Sequence, residues 1–324
     1  MRHRAVIAAG ALVAAAVGSG VLAGRSRGRA WRAEPDPAGD DLLALPAGRS
    51  SVLITSDGAE LAVTDAGAGP LVVLAHCYTG ARGVWAPVAR RLVASGHRVV
   101  LWDQRGHGAS TVGSEGMTVE RLGDDLRELL DHLHATDAVL AGHSMGGMTV
   151  MSLIARHRDV VVRRVRAVVL VGTAAADLFP FGPAVGLSAA VAGSRVATAV
   201  GRSALGPYVA RGIEGSRPVW AHLDTMARMY AETPPATRAA FVRSFAAMDL
   251  RPGLAACPVH AVVVVGSADR LTTRGLGADI ASHLPDAELV VVPGAGHMLP
   301  FEEPDRLARI IAASAGTQVA ERAG

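Results

Sequence analysis

The chain has 324 residues, half of them hydrophobic, with 32 basic and 29 acidic side chains and a formal net charge of +3. This length and apolar content indicate a globular protein with one large domain or two small ones. Every basic residue is Arg, and six arginines fall within residues 1–32, so the remainder carries a net charge of about −3. The folded part therefore lacks the basic surface of nucleic-acid-binding proteins, and we expect no nucleic-acid partner.

Residues 5–24 form an uncharged stretch rich in Ala, Val and Gly, with arginines on both sides. At ~1.5 Å per residue this stretch is just long enough to cross a bilayer, although Ala and Gly make insertion marginal. Residues 1–32 are therefore predicted to be a membrane anchor or a signal segment. Small residues up to Ala23 offer a cleavage site, but the arginines beyond it disfavour cleavage. We expect an uncleaved membrane tether, on a side that the charges do not determine, with secretion as the alternative.

The next segment leads into a folded core. Residues 33–50, rich in proline and mixed charge, are predicted to form a linker. Two strand-like runs over 51–56 and 60–65 follow, joined by Asp57 and Gly58, a pair that favours a hairpin turn.

Apolar runs and helical segments then alternate along the chain. The runs are typical of strands that are buried on both faces, and they are Leu71–Ala75, Arg98–Trp102, Ala138–Leu140, Ala167–Val171, Val259–Val265 and Glu288–Val292. The predicted helices between and after them lie at 83–95, after the capping residue Thr118, at 274–283 and at 302–313. This alternation predicts an α/β fold with a mostly parallel sheet flanked by helices.

The alternation pauses between residues 173 and 256, where the sequence is Ala-rich and broken by prolines. About 80 residues are too many for a loop in a compact domain. We therefore predict a helical cap over 173–256, inserted after the sixth strand. The core is then 51–172 and 257–315, followed by a tail over 316–324.

The segment Ala141–Met148 joins an apolar strand to a helical segment and places Ser144 at the turn. Gly142 and Gly146 flank the serine in the pattern G-x-S-x-G. A sharp strand-to-helix turn needs glycine at both positions, because a Cβ would collide with the neighbouring backbone, and it exposes the serine at its apex. Ser144 is therefore the predicted nucleophile.

A serine hydroxyl is a poor nucleophile unless a base removes its proton and a third group orients that base. Asp269 and His297 each follow a predicted buried strand. Both side chains are therefore expected at the carboxyl edge of the sheet, beside Ser144. No cysteine or histidine cluster has metal-ligand spacing, and we predict neither a metal nor a cofactor.

Five segments in this order resemble the signatures of the α/β-hydrolase superfamily, in particular its lid-bearing esterase, haloperoxidase-like and lactonase-like branch. They are Leu74–Gly80, Trp102–Gly108, Gly142–Gly147, Gly266–Arg270 and Gly294–Met298. The resemblance covers about Ser51 to Ala313. It implies the α/β-hydrolase fold, with Ser144 as nucleophile, His297 as general base and then acid, and Asp269 as its orienting carboxylate.

An oxyanion hole needs two N–H groups that point at the developing negative charge. The turn geometry assigns one of them to Met145. The resemblance assigns the other to Tyr78, because His76-Cys77-Tyr78 matches the family pattern His-Gly-x. Cys77 departs from that pattern, since glycine is usual there. We interpret Cys77 as a small buried residue rather than a nucleophile.

Other candidate residues receive structural interpretations. The resemblance implies that His143 packs under the turn of Ser144, that His107 is structural and that His76 braces the oxyanion loop. Asp177 follows a strand end and is the alternative triad carboxylate. Because Cys77 and Cys257 lie at opposite ends of the predicted sheet, we expect two free thiols.

The sequence thus predicts a serine hydrolase that cleaves an ester or related acyl bond of an apolar small molecule or lipid through an acyl-enzyme. Apolar residues of the cap would cover the site, namely Phe179, Phe181, Leu187, Val191, Tyr208, Trp220, Met226 and Met229. A carbon–carbon bond hydrolase, a lactonase, a thioesterase, an acyltransferase or a perhydrolase on the same triad remains open. An alternative of another class is a non-enzymatic ligand-binding protein on a hydrolase fold.

Overall fold

The computed structural model describes residues 30–38, 41–178 and 185–316. Within these ranges the chain forms a sheet of eight strands, which are β1 (Gly48–Ile54), β2 (Glu60–Ala66), β3 (Leu71–Ala75), β4 (Arg98–Trp102), β5 (Ala138–His143), β6 (Val165–Val171), β7 (His260–Gly266) and β8 (Ala287–Val292). Their spatial order is β1-β2-β4-β3-β5-β6-β7-β8. The β1–β2 and β2–β4 pairs are antiparallel, and the other neighbouring pairs are parallel.

Helices surround this sheet and build the insertion. In chain order they are α1 (Ala86–Ala94), α2 (Val119–His132), α3 (Met145–Arg156), α4 (Arg158–Arg164), α5 (Val185–Ala192), α6 (Arg195–Arg202), α7 (Gly206–Ala210), α8 (Trp220–Glu232), α9 (Pro235–Ala247), α10 (Arg251–Leu254), α11 (Arg274–His283), α12 (Leu299–Glu302) and α13 (Pro304–Gly316). Two 3₁₀ turns lie at Arg82–Trp85 and Arg211–Ile213. Thr118 caps α2 as predicted, because its hydroxyl accepts a hydrogen bond from the Arg121 N–H.

The central strands are apolar throughout because helices cover both faces of the sheet. In β3, Val73 packs into the core that contains α2 and α3. Its neighbours Val72 and Leu74 point to the opposite side and pack into the core that contains α1 and α13. This arrangement confirms the predicted α/β fold with a mostly parallel sheet.

The described chain between β6 and β7 contains helices and turns but no strand, which confirms a helical cap inserted after the sixth strand. Helices α5 and α9 pack on each other, and α8 packs on both α6 and α7. The small residues Gly201 and Gly206 permit this close approach. A Cβ on Gly206 would lie 2.5 Å from the Gly201 carbonyl oxygen.

The predicted membrane anchor over residues 5–24 lies outside the described residues. In the part of the chain that is described, no helix is both long enough and apolar enough to cross a membrane. This finding contradicts the predictions of membrane anchoring and of a transmembrane helix, which are withdrawn. Those predictions rested on length and lack of charge, and Ala and Gly contribute little to the free energy of insertion.

The end of the predicted N-terminal segment and the start of the predicted linker pack against the cap. We call residues 30–38 the N-terminal strap. Its Asp36 accepts a hydrogen bond from buried His222 of α8 at 2.9 Å, and the other ring nitrogen of His222 lies 2.8 Å from Glu214. The Arg32 guanidinium lies 3.8 Å from the ring centre of Trp220. The strap is therefore tied to the cap through both charged and aromatic contacts.

Candidate active site

Ser144 occupies the turn between β5 and α3 with φ 53° and ψ −114°, a backbone conformation that is rare for a residue with a side chain. The two glycines permit this turn. A Cβ on Gly142 would lie 2.2 Å from the Gly146 carbonyl oxygen, and one on Gly146 would lie 2.0 Å from the Ala75 carbonyl oxygen. The predicted strand–turn–helix geometry around Ser144 is present.

His297 and Asp269 meet at the carboxyl edge of the sheet, as the strand ends predicted. His297 Nδ1 lies 2.9 Å from Asp269 Oδ2, and both residues are almost fully buried. The other oxygen, Oδ1, accepts hydrogen bonds from the backbone N–H groups of Leu271 and Thr272. These contacts fix the carboxylate, and the carboxylate in turn orients the imidazole.

The charge of this carboxylate is maintained despite its burial. Burial alone would raise the pKa of Asp269, but the charge and hydrogen bond of His297, together with hydrogen bonds from Thr272, outweigh it and hold the pKa below its usual value. Asp269 is therefore ionised at neutral pH. An ionised carboxylate favours the His297 tautomer with the proton on Nδ1, which leaves Nε2 free to accept a proton.

Ser144 and His297 border one cavity of about 820 Å³. We call it the apolar cavity; its walls include Tyr78 and Leu271 from the core and Val191, Val200, Met226 and Met229 from the cap. Among the described residues, no hydrogen bond joins the Ser144 hydroxyl to His297. Catalytic hydrogen bonds are often long in empty sites and shorten when substrate binds.

The loop after β3 lies beside Ser144 and is fixed by buried contacts. Gln104 donates its backbone N–H to His76 Nε2 at 2.9 Å, and the His76 Nδ1–H donates to the Cys77 carbonyl oxygen at 2.8 Å. Burial lowers the pKa of His76 to about 4, so the ring is neutral. His76 thus braces the loop that carries Tyr78.

The two predicted oxyanion donors belong to this loop and to the first turn of α3. Met145 is the first residue of α3, where a backbone N–H has no acceptor within the helix. The Tyr78 side chain donates its hydroxyl to the Arg238 carbonyl oxygen at 2.9 Å, which links the loop to the cap. The roles of both N–H groups remain predictions.

Three of the remaining candidates occupy positions that suit structural roles. His143 donates from Nε2 to the His297 carbonyl oxygen at 2.7 Å, beneath the predicted base. His107 packs between the rings of His76 and Phe241. Burial lowers the pKa of His143 and of His107 to about 3. Asp177 is exposed and pairs with Arg251, so the structure does not bring it to His297.

Both cysteines are buried free thiols, as expected. Cys77 borders the apolar cavity, but burial raises the pKa of its thiol to about 12. The thiolate is the nucleophilic form of cysteine, so the neutral Cys77 thiol is inert at neutral pH. Among the described residues, no group of His, Cys, Asp or Glu side chains could hold a metal ion.

Two side chains near His297 were missed by sequence reasoning. Thr272 donates its hydroxyl to Asp269 Oδ2 at 2.6 Å and lies 3.0 Å from His297 Nδ1. Its position three residues after Asp269, within the same turn, was a usable signal. Glu302 accepts N–H groups on both sides of His297, from Gly296 and Met298, at 2.8 and 3.0 Å. It also accepts the N–H of Gly215 in the insertion, a contact that no local pattern reveals.

The predicted cap residues divide into two groups. Val191, Met226 and Met229 line the apolar cavity. Tyr208 and Trp220 instead pack against each other, and Tyr208 also contacts Trp31 of the strap. Leu187 is exposed on α5. The remaining two, Phe179 and Phe181, lie outside the described residues.

Comparison with known proteins agrees with this fold. Residues 70–304 match the family model described as alpha/beta hydrolase fold. The chain is 28% identical over 267 residues to 3-oxoadipate enol-lactonase 1 of Acinetobacter baylyi, an alignment that covers 80% of this chain and 95% of that protein. It is 35% identical over 106 residues to the non-heme chloroperoxidase CPO-A1 of Kitasatospora aureofaciens, covering 33% of this chain but only 38% of the peroxidase.

Among solved structures, a hydrolase from Pseudomonas aeruginosa PA01 superposes with a TM-score of 0.68 at 28% identity, over 83% of this chain and 98% of that one. The protein therefore belongs to the α/β-hydrolase fold family and is an α/β-hydrolase enzyme.

Proposed function

We propose that the protein is a serine hydrolase that cleaves an ester or related acyl bond of an apolar small molecule or lipid through an acyl-enzyme. One observation carries the proposal. Ser144 at a strained strand-to-helix turn and His297, which is hydrogen-bonded to Asp269, border the same apolar cavity. A nucleophile, its base and the group that orients the base are thus available to one bound acyl group.

In the proposed mechanism Ser144 Oγ attacks the carbonyl carbon while its proton passes to His297 Nε2. The backbone N–H groups of Tyr78 and Met145 stabilise the oxyanion of the tetrahedral intermediate. The bond to the leaving alcohol then breaks, and that alcohol takes the proton from His297. Water repeats the sequence on the acyl-enzyme and releases the acid with Ser144 regenerated. Asp269 stays ionised throughout and stabilises the imidazolium.

A lactone is the second candidate substrate. The A. baylyi relative, aligned over most of both chains, is named an enol-lactonase. Opening of a lactone uses the same attack, with the leaving alcohol held in the same molecule as the acyl group. Parallel assays of an open-chain ester and a lactone of similar size distinguish the two candidates.

The proposal is tested by turnover of 4-nitrophenyl octanoate by wild type, Ser144→Ala and Ser194→Ala. Ser194 borders the same cavity, but its hydroxyl donates to the Val191 carbonyl oxygen and caps α6, so it serves as the matched control. We expect Ser144→Ala to lower kcat by several orders of magnitude, as loss of a triad member does elsewhere. Ser194→Ala should stay within a few-fold of wild type. Equal rates for all three proteins would refute the proposal.

A further inference from the structure

We infer that the apolar cavity selects acyl groups that carry no charge anywhere along their length. The substrate class is then neutral esters or lactones, and acyl groups that end in a carboxylate, a phosphate or an ammonium are rejected. This inference rests on the proposed function, because it concerns the same cavity. It goes further by excluding a large part of the substrates that a serine hydrolase could use.

The described walls of the apolar cavity contain no acidic or basic side chain apart from His297. Among the described residues that border it, none is Arg, Lys, Asp or Glu, and His297 is the single histidine. A charged group on the substrate would thus find no counter-ion in this part of the chain.

Two polar side chains of the wall, Ser194 of the cap and Tyr78 of the core, are also engaged elsewhere. Ser194 donates its hydroxyl to the Val191 carbonyl oxygen at 2.7 Å, and the Ser194 hydroxyl oxygen accepts the Ala197 N–H. Tyr78 donates its hydroxyl to the Arg238 carbonyl oxygen. These two hydroxyls therefore have no proton left to donate to a substrate anion.

One buried cation, Arg238, lies behind the wall without reaching the cavity. Its Nη1 donates to the Tyr230 carbonyl oxygen at 2.6 Å, and its Nη2 donates to Thr198 Oγ1 at 2.5 Å. Nη2 also lies 3.3 Å from the Ser194 carbonyl oxygen, and the guanidinium sits over the Tyr230 ring. Arg238 is fully buried and does not border the cavity, so it cannot form an ion pair with bound substrate.

A buried charge without a partner loses its hydration and gains nothing in return. An ionised carboxylate at the end of an acyl chain therefore stays in water and pulls the chain out of the cavity. A neutral chain of the same length gains from leaving water along all of its methylene groups. The cavity discriminates between them by charge.

Three substrates of matched length test this inference: 4-nitrophenyl octanoate, the 4-nitrophenyl half-ester of octanedioic acid, and the methyl ester of that half-ester. The third restores neutrality while keeping a polar end. For the wild type at pH 7.5, we expect kcat/KM to be at least 100-fold lower for the half-ester than for 4-nitrophenyl octanoate. The kcat/KM for the methyl ester should be at least tenfold higher than that for the half-ester. Equal kcat/KM for octanoate and the half-ester would overturn the inference and leave the proposed function intact.

Binding to the Ser144→Ala variant separates this inference from the proposed function, because binding does not need turnover. Calorimetry should give a Kd for 4-nitrophenyl octanoate that is at least 30-fold lower than the Kd for the half-ester. Selective binding without hydrolysis by wild type would support the inference while refuting the proposed function. Equal Kd values would overturn the inference directly.

A cation placed at the rim should reverse the selection. Val196 borders the cavity and is 73% exposed, so substitution there spares the core. Val196→Arg should raise kcat/KM for the half-ester at least fivefold over Val196→Gln, the neutral control, with no such gain for octanoate. The inference would be contradicted if Val196→Arg, but not Val196→Gln, lost activity on both esters and the wild type had equal kcat/KM for the two.

Discussion

Asp269 is a buried carboxylate in the candidate site. It is 6% exposed, yet His297 and the turn at Thr272 hold its pKa below the usual value. The charge can stay buried because both carboxylate oxygens are hydrogen-bonded. The cost of burying this ion is thus met by contacts that also hold the imidazole in one tautomer.

Asp269→Asn therefore tests orientation with little change in volume. An amide can hold His297 in the wrong tautomer, and we expect kcat to fall about 10³- to 10⁴-fold on a neutral activated ester. The matched control is Asp177→Asn, because Asp177 is the rival carboxylate and pairs with Arg251 at the surface. Its kcat should stay within twofold of wild type. The reverse ranking of the two variants would assign the carboxylate to Asp177.

At the level of elements, the strap and the cap are joined by an ionised histidine. Burial opposes the charge on His222, but hydrogen bonds from its ring to Asp36 and Glu214 outweigh burial and raise its pKa to about 9. Both carboxylates and the imidazolium lie within hydrogen-bond distance. This contact spans residues 36 and 222, so it fastens the strap to a helix far along the chain.

The raised pKa predicts how stability depends on pH. The folded state binds the His222 proton more tightly than the unfolded state, so this contribution is complete below about pH 6.5 and is lost as pH rises towards 9. Its size is about 3 kcal/mol, from ~1.4 kcal/mol per pH unit. We expect denaturant-induced unfolding to show this fall between pH 6.5 and 9, and a smaller fall in Asp36→Asn.

Asp305→Asn supplies the control for this experiment, because it removes an exposed ion pair with Arg91 and not the buried one. Its unfolding free energy should fall with pH as steeply as that of wild type. If Asp36→Asn and wild type have the same slope, His222 does not hold the strap through a charged contact.

Helix α6 limits the volume of the apolar cavity on the side of the cap. Its Ala197 borders the cavity, whereas Ala199 is exposed on the opposite side of the helix. Ala197→Phe should lower kcat/KM for 4-nitrophenyl octanoate at least tenfold, because the added ring occupies space that a long acyl chain needs. The kcat/KM for 4-nitrophenyl acetate should stay unchanged. Ala199→Phe should leave the ratio of the two substrates unchanged. If Ala197→Phe lowered kcat/KM equally for both esters, the acyl chain would bind elsewhere.

At the scale of the whole molecule, the sequence predicted what depends on local patterns. Apolar runs such as Leu71–Ala75 identified the central strands because a strand covered on both faces has no polar positions. The glycine spacing around Ser144 identified the turn, and strand ends placed Asp269 and His297 at one edge. The family match confirms the fold that these patterns predicted.

Contacts between distant parts of the chain could not be predicted in this way. Proline and mixed charge predict a linker over 33–50, because nothing near Asp36 reveals that His222 is its partner. Glu302 likewise gains its role from the backbone of Gly215 and the turn at Gly296. The membrane prediction is wrong for another reason, because length and lack of charge do not suffice when Ala and Gly contribute little to the free energy of insertion.

The central claim is that Ser144 is a nucleophile activated by His297. Labelling with a fluorophosphonate probe, followed by peptide mapping, tests it most directly, because the probe reacts with an activated serine whatever the natural substrate is. We predict one label per chain, located on Ser144, absent from Ser144→Ala and slowed by orders of magnitude in Asp269→Asn. A folded wild-type protein that takes up no label, or takes it up at another residue, would contradict the account.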